Sequence, residues 1–227
     1  MGKRAFDLVL SAVGLILLSP LLLLLALWIK LASPGPVFYR GARVGKDGKE
    51  FHILKFRSMV VDADRIGGSS TSEDDMRITR PGRLMRATKM DELPQLWNVL
   101  LGQMSFVGPR PQVRWAVDLY TPEERQLLTV RPGITDWASL VYRNEGAILK
   151  GSSDPDKDYL EKIAPGKILL GLEYVRRHTA LIDCKVILAT ALAILGVDPS
   201  WCLPAEHRRL AADAAKLSSA GSVGSAR

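Results

Sequence analysis

Between Asp7 and Lys30 the chain carries no charged residue at all, and the stretch is dense in leucine. That is about 22 residues, or roughly 33 Å as a straight helix, enough to reach across a bilayer. A cleaved leader would also begin with a pair such as Lys3 and Arg4. This run, however, is long, continues into Trp28-Ile29-Lys30 and lacks a small-x-small cleavage site, so a retained membrane segment over residues 1–33 is expected. Basic residues flank it on both sides: Lys3 and Arg4 before, Lys30, Arg40 and Arg43 after. They draw both ends toward the same, cytoplasmic face. Ser19-Pro20 sits in the middle, where proline removes a ladder hydrogen bond and bends a helix. Two topologies remain from these residues: a re-entrant helix–break–helix, or a kinked single span.

The rest of the chain is long enough for a globular core. Its formal net charge of +7 suits an anionic membrane face, phosphate-bearing substrates or nucleic acid. Two cysteines, Cys184 and Cys202, show neither disulfide-framework nor zinc spacing. Val37–Arg40 and Glu50–Leu54 read as strands around a turn-rich Gly45–Lys49, which predicts a β-hairpin. Residues 62–76, with Gly67-Gly68-Ser69-Ser70 at their centre, predict a mobile loop. Arg83 and Arg86 share a helical face. A polar helix is expected from Trp115 to Leu128, with its start at Thr121–Glu124. One or two helices are expected over 167–196, whose apolar part, Val186 to Leu195, is too short to span a bilayer and suits an interfacial or core position. After Pro204 the composition turns to Ala, Ser and Gly, and disorder is expected from about Leu217.

The chemistry concentrates in Lys89–Pro111, KMDELPQLWNVLLGQMSFVGPRP. Asp91 and Glu92 fall at an expected helix start, with Thr88 as its cap in a capping-box pattern and Pro94 in the first turn. Gly102 ends that helix. Free N–H groups and the dipole at a helix N-terminus favour anions, so carboxylates stay ionised there and phosphate is welcome. On this pattern alone Asp91 reads first as a simple capping acid. Arg110, between two prolines that restrain its backbone, suits bidentate phosphate binding. Lys55, Arg57 and Arg143 are further candidate phosphate ligands. His52, His178 and His207 match no metal or triad spacing.

DELPQLWNVLLGQMSFVGPRP resembles the signature of the bacterial sugar transferases, the monotopic phosphoglycosyl transferases. KFRSM at Lys55–Met59, the arginine-bearing helix of Arg83 and Arg86, RPGIT at Arg131–Thr135 and the Ser19-Pro20 break match the family too. After RPGIT the chain departs from the family's Gly-x-Ala-Gln with Asp136-Trp137-Ala138-Ser139, which leaves the nucleotide and sugar contacts there open. The resemblance covers roughly residues 3–196. It implies an α+β, helix-rich protein: a re-entrant membrane helix over residues 1–33, a small β-hairpin, and a compact cytoplasmic catalytic domain over 34–204 with interfacial amphipathic helices. Residues 205–227 would form an extension.

The activity implied is transfer of a phosphosugar from a nucleotide diphosphate sugar, a UDP-sugar by resemblance, to polyprenyl (undecaprenyl) phosphate. Nucleoside monophosphate leaves. The resemblance makes Asp91 the nucleophile of a covalent intermediate and Glu92 the ligand of magnesium. It places the enzyme at the bacterial inner membrane with its site on the cytoplasmic face, at the first membrane step of exopolysaccharide, O-antigen and lipopolysaccharide, capsule or glycoprotein glycans. Membrane lipids are then partners and nucleic acid is not; the oligomeric state, homo-oligomer or monomer, stays open. Two other classes compete on composition alone: a membrane-tethered scaffold, disfavoured by the acid pair and the Pro-Arg-Pro turn, and a soluble nucleic-acid binder, disfavoured by the apolar N-terminus.

Overall fold

The computed structural model describes residues 2–223, with side chains to residue 219. In chain order the elements are α1 (Gly2–Ala32), β1 (Phe38–Val44), β2 (Glu50–Phe56), α2 (Ala63–Ile66), α3 (Arg80–Ala87), α4 (Gln95–Leu100), β3 (Ser105–Val107) and α5 (Arg114–Asp118). Then follow β4 (Gly133–Thr135), α6 (Trp137–Val141), α7 (Glu145–Ile148), α8 (Pro155–Lys162), α9 (Ala164–Arg177), α10 (Ala180–Ile194) and α11 (Arg208–Val223). The fold is thus helix-rich α+β with two small sheets, β1–β2 and β3–β4. The chain forms two compact units, Met1–Val61 with Arg77–Ile134, and Asp62–Met76 with Thr135–Arg227.

In the first unit, the apolar run forms one 31-residue helix, long and apolar enough to cross a membrane by length and composition. The helix runs on through Pro20 without interruption, in place of the expected helix–break–helix. A local compensation accounts for this. Pro20 has no N–H for the Ile16 carbonyl four residues back, and the Ser19 hydroxyl donates to that carbonyl instead, at 2.8 Å. One side of α1 is packed and the other bare. Arg4 donates to the carbonyls of Val99 and Leu100, at 2.6 and 2.9 Å, where the C-terminal end of α4 needs a cation. Asp7 is buried and accepts from Ser105 Oγ and the Phe106 amide, both at 3.1 Å. Near the other end, Leu25 and Ile29 join Phe56 and Met85 in a core cluster. Ile16, Leu17, Leu23, Leu24, Leu27 and Leu31 are exposed.

The hairpin forms as the turn chemistry predicts, antiparallel from Phe38↔Phe56 to Val44↔Glu50. Phe51 and Ile53 point inward onto Val99 and Met104. The free edge of β2 is covered by one side chain. Asn98 Oδ1 accepts from the Leu54 amide at 2.8 Å, and its Nδ2 donates to the His52 carbonyl at 2.8 Å and to Gln103 Oε1 at 2.7 Å. A side-chain amide therefore stands where the peptide of a third strand would.

The helix expected from Trp115 to Leu128 is instead α5 and a separate 3₁₀ turn, Glu124–Thr129. Pro122 divides them, and Thr121 and Glu124 form a reciprocal capping box at the second start, Thr121 N donating to Glu124 Oε2 at 2.8 Å and Glu124 N to Thr121 Oγ1 at 3.3 Å.

In the second unit, residues 167–196 resolve into two helices, α9 and α10, with Thr179 capping α10. Leu181, Leu188 and Leu195 lie exposed along α10 and at its end. Ser69 and Ser70 of the glycine-rich segment donate to the Asp156 carboxylate at the start of α8. Where disorder was expected from about Leu217, α11 continues to Val223; its alanines favour helix, and Ala214 is buried. Residues 224–227 of that expected tail lie outside the described residues.

Candidate active site

The Asp-Glu pair sits in the first unit on a turn of its own. Lys89 adopts left-handed backbone, φ 58°, which lifts the chain out of α3, and Met90–Glu92 then form one 3₁₀ turn ahead of α4. Thr88 does not cap a helix carrying the acids. It is helical itself and closes α3, its hydroxyl donating back to the Leu84 carbonyl at 2.7 Å. A capping box needs an extended N-cap residue, and the turn of Lys89 intervenes, so the acids owe their placement to packing rather than to a helix end.

That packing brings four predicted residues together. Asp91 is 6% exposed. Beside it, Glu92 accepts from Lys55 Nζ at 2.9 Å and from Arg110 through both guanidinium nitrogens, one at 3.1 Å on Oε2 and the other on Oε1. Lys55 arrives on β2, in register with Tyr39 of β1. Arg110 arrives on the loop after β3. Gly108 lies against the Arg131–Gly133 turn: a Cβ on Gly108 would strike the Arg131 carbonyl, and one on Gly133 would strike the Gly108 backbone. The Gly133 amide also donates to the Pro109 carbonyl at 3.1 Å. The Pro-Arg-Pro and Arg-Pro-Gly turns are thus locked together, which aims Arg110. A small cleft, open to solvent, adjoins this loop, lined by Val44, Gly45, Arg110, Tyr120, Leu127 and Pro132 among others.

Electrostatics separate the two acids. Burial pushes the Asp91 carboxyl above its ordinary value and the Glu92 charge adds to that, against the pull of Lys55, Arg86 and Lys89. Burial would raise Glu92 as well, but Arg110 and Lys55 overcome it and hold its carboxyl well below the usual carboxylate range. Burial lowers Lys55, with Glu92 resisting. The pair therefore comprises one firmly ionised, cation-bound carboxylate and one poorly stabilised, more basic carboxylate: a candidate metal ligand beside a candidate nucleophile.

The other candidates fall differently. Arg86 is close enough to act on Asp91 by charge, while Arg83 is exposed. Arg57 is buried, and its Nη groups are spent on the exit of α1, on Ser33 and Pro34; phosphate binding is not their place. Arg143 belongs to the second unit, where its Nη1 donates to the Ala193 carbonyl at 2.6 Å. Asn98 and the Gly108–Gly133 contact were not singled out from sequence. A polar residue between Leu96 and Val99 on the buried side of a helix was the available signal for Asn98. Two adjacent carboxylates suit magnesium by donor chemistry, and Lys55 and Arg110 would have to give up part of their hold on both Glu92 oxygens for that residue to bind it.

A family model described as bacterial sugar transferase matches residues 1–197. The chain belongs to the bacterial sugar transferase family. Exopolysaccharide production protein PSS of Rhizobium leguminosarum bv. phaseoli is 42% identical over 201 residues, which cover 85% of this chain and 94% of that one. UDP-glucose:undecaprenyl-phosphate glucose-1-phosphate transferase of Escherichia coli (strain K12) is 40% identical over 197 residues, 83% of this chain and 39% of its own. UDP-N-acetylgalactosamine-undecaprenyl-phosphate N-acetylgalactosaminephosphotransferase of Aeromonas hydrophila is 37% identical over 196 residues, 85% of this chain and 43% of its own. The chain thus spans about two fifths of the length of the last two relatives.

Proposed function

We propose that this chain is a phosphoglycosyl transferase that moves a phosphosugar from a UDP-sugar to undecaprenyl phosphate by way of an aspartyl-phosphosugar. The observation that supports it most is the split acid pair, a buried, raised Asp91 next to a Glu92 held by Lys55 and Arg110. In the first step an Asp91 carboxylate oxygen attacks the sugar-bearing phosphorus. The bridging P–O bond breaks, and its electron pair leaves on the nucleoside monophosphate. In the second step a phosphate oxygen of the lipid attacks the same phosphorus and the Asp91 carboxylate departs, restored. Burial that makes Asp91 more basic also makes it more nucleophilic. Arg110 and Lys55 would turn toward the phosphate oxygens as charge builds there. Glu92 would hold magnesium, which offsets charge on the diphosphate when bound.

The membrane reading is re-entrant, with both ends of α1 on the cytoplasmic face. Its support is that α1 touches the first unit both at Arg4 and Asp7 and at Leu25 and Ile29, while its other side offers only apolar surface. A helix pinned to one globular unit near both ends does not carry its ends to opposite faces of a bilayer. The exposed leucines of α10 suit an interfacial position. The names of the relatives point to exopolysaccharide assembly as the pathway, with glucose or N-acetylgalactosamine among the sugars to test.

The experiment is a burst assay. Given a UDP-sugar without acceptor, the enzyme should release about one equivalent of UMP, gain the mass of one phosphosugar, and lose that mass when undecaprenyl phosphate is added. Asp91→Asn should show neither burst nor adduct. Release of UMP only when acceptor is present, or an adduct mapped to another residue, overturns the covalent reading.

A further inference from the structure

Three consecutive residues join the membrane helix to the catalytic pair. Lys55 holds Glu92. Phe56 packs with Leu25 and Ile29 of α1, and Met90, the residue before Asp91, packs against the same cluster. Arg57 then binds the place where α1 ends: its Nη1 donates to the Pro34 carbonyl at 2.6 Å, and its Nη2 to the Ser33 carbonyl at 2.9 Å and to Ser33 Oγ at 2.7 Å. The neighbouring backbone is tied as well, with Arg57 N donating to the Val37 carbonyl at 2.9 Å.

Arg57 is 6% exposed and, among the described residues, faces no carboxylate. A buried cation without a counter-charge is costly. The partial negative charge at the C-terminal end of a long helix is what compensates it here. Gly35 is shaped to the same contact. Its φ is +113°, and a Cβ would strike Arg57 Nη1 and Val61. A guanidinium is required, since one group reaches two carbonyls and a hydroxyl at once.

We infer that Arg57 is a positioning residue for the acceptor step: it fixes the exit of α1 against the Lys55–Glu92 edge, and so sets the height of Asp91 above the bilayer. This rests on the transferase reading above. The donor is soluble and meets Asp91 from the aqueous side. It needs only the mutual geometry of Asp91, Glu92, Lys55 and Arg110. The lipid phosphate is presented at a depth that the bilayer dictates, so for that substrate alone the distance from membrane exit to nucleophile matters.

The test compares full-length wild type with Arg57→Met, Arg57→Lys and Gly35→Ala in nanodiscs. With long-chain polyprenyl phosphate in the bilayer, turnover should fall tenfold or more for Arg57→Met and Gly35→Ala, chiefly through a higher KM for acceptor. Arg57→Lys should lie between, because an ammonium replaces the fork only in part. UMP release without acceptor should stay within twofold of wild type. A short-chain acceptor in detergent, free of any fixed depth, should restore turnover to within threefold. Equal losses with both acceptors, or a burst that falls in parallel, would make Arg57 merely structural and sink the proposal. If Arg57→Met does not fold, Gly35→Ala carries the same comparison. Absence of a burst in wild type would overturn the covalent step but not this one, which the two-acceptor ratio reads independently. Hydrogen exchange reads it without activity: amides of residues 33–38 should exchange faster in Arg57→Met while those of 95–100 stay protected, and unchanged exchange at 33–38 refutes the tie.

Discussion

Asn98→Ala should be among the most damaging single changes outside the reacting groups. Three hydrogen bonds disappear with the amide, to Leu54 N, the His52 carbonyl and Gln103 Oε1. At about 1 kcal/mol net for each, the loss is about 3 kcal/mol. For a chain of this size that lowers the melting temperature by about 6–12 °C. The effect should reach the site, because Leu54 precedes Lys55 and its strand edge would be left open. Asn98→Asp is the discriminating control. It keeps an acceptor for Leu54 N but turns carboxylate oxygens toward the His52 carbonyl and Gln103 Oε1, so it should cost about as much as alanine. Gln103→Ala removes one bond and should cost about 1 kcal/mol. Thermal and denaturant melts of detergent-solubilised protein measure all three. An Asn98→Ala protein within 1 kcal/mol of wild type, or an aspartate variant that melts like wild type, would refute the edge-covering role of this side chain.

Asp91 has its carboxyl raised by burial, so ionised Asp91 disfavours folding at neutral pH and protonated Asp91 does not. Asp91→Asn should therefore raise the melting temperature at pH 7 while abolishing the burst, and the gain should fade below the ordinary aspartate value of 3.8; a variant less stable than wild type at pH 7 contradicts this. Glu92 has the opposite sign: its pairing stabilises the fold above the ordinary 4.5 and is lost as pH falls through its depressed folded value. Glu92→Gln should flatten that acid dependence in melts, and should also weaken magnesium dependence of turnover, with full wild-type activity in excess chelator counting against any metal. Cysteines at Lys3 and Ser33 should both escape impermeant reagents in intact cells; labelling of one in the unaltered helix excludes re-entry.

Sequence patterns carried the hairpin and the helical stretch that became α9 and α10, because each depends on local chemistry, turn residues or apolar period; the acid pair was singled out by its resemblance to the family signature, and local rules gave it the wrong cap. They failed where distant residues decide. Thr88 looks like an N-cap until Lys89 turns left-handed, and Arg57 looks like a phosphate ligand until the end of α1 comes to lie beside it. Pro20 marks a break by the local rule, but one hydroxyl at Ser19 offsets the missing donor and α1 remains helical. The Gly108–Gly133 contact joins two motifs that are separate in the chain, and no local pattern reports such a crossing.

The bonds of Arg4 and Asp7 link residues 95 to 99 positions apart. A ribosome adding roughly 5–20 residues per second makes the first partner and reaches the second about 5–20 s later. Throughout that interval α1 exists without Val99, Leu100, Ser105 or Phe106, and its leucines have no protein surface to cover them. On the membrane reading proposed above, the bilayer is the solvent that would cover it, so insertion would precede folding and the Asp91–Glu92 turn would be assembled on a helix already committed to the membrane. Expression conditions that delay membrane delivery should consequently penalise the whole first unit, site included, and not the anchor alone.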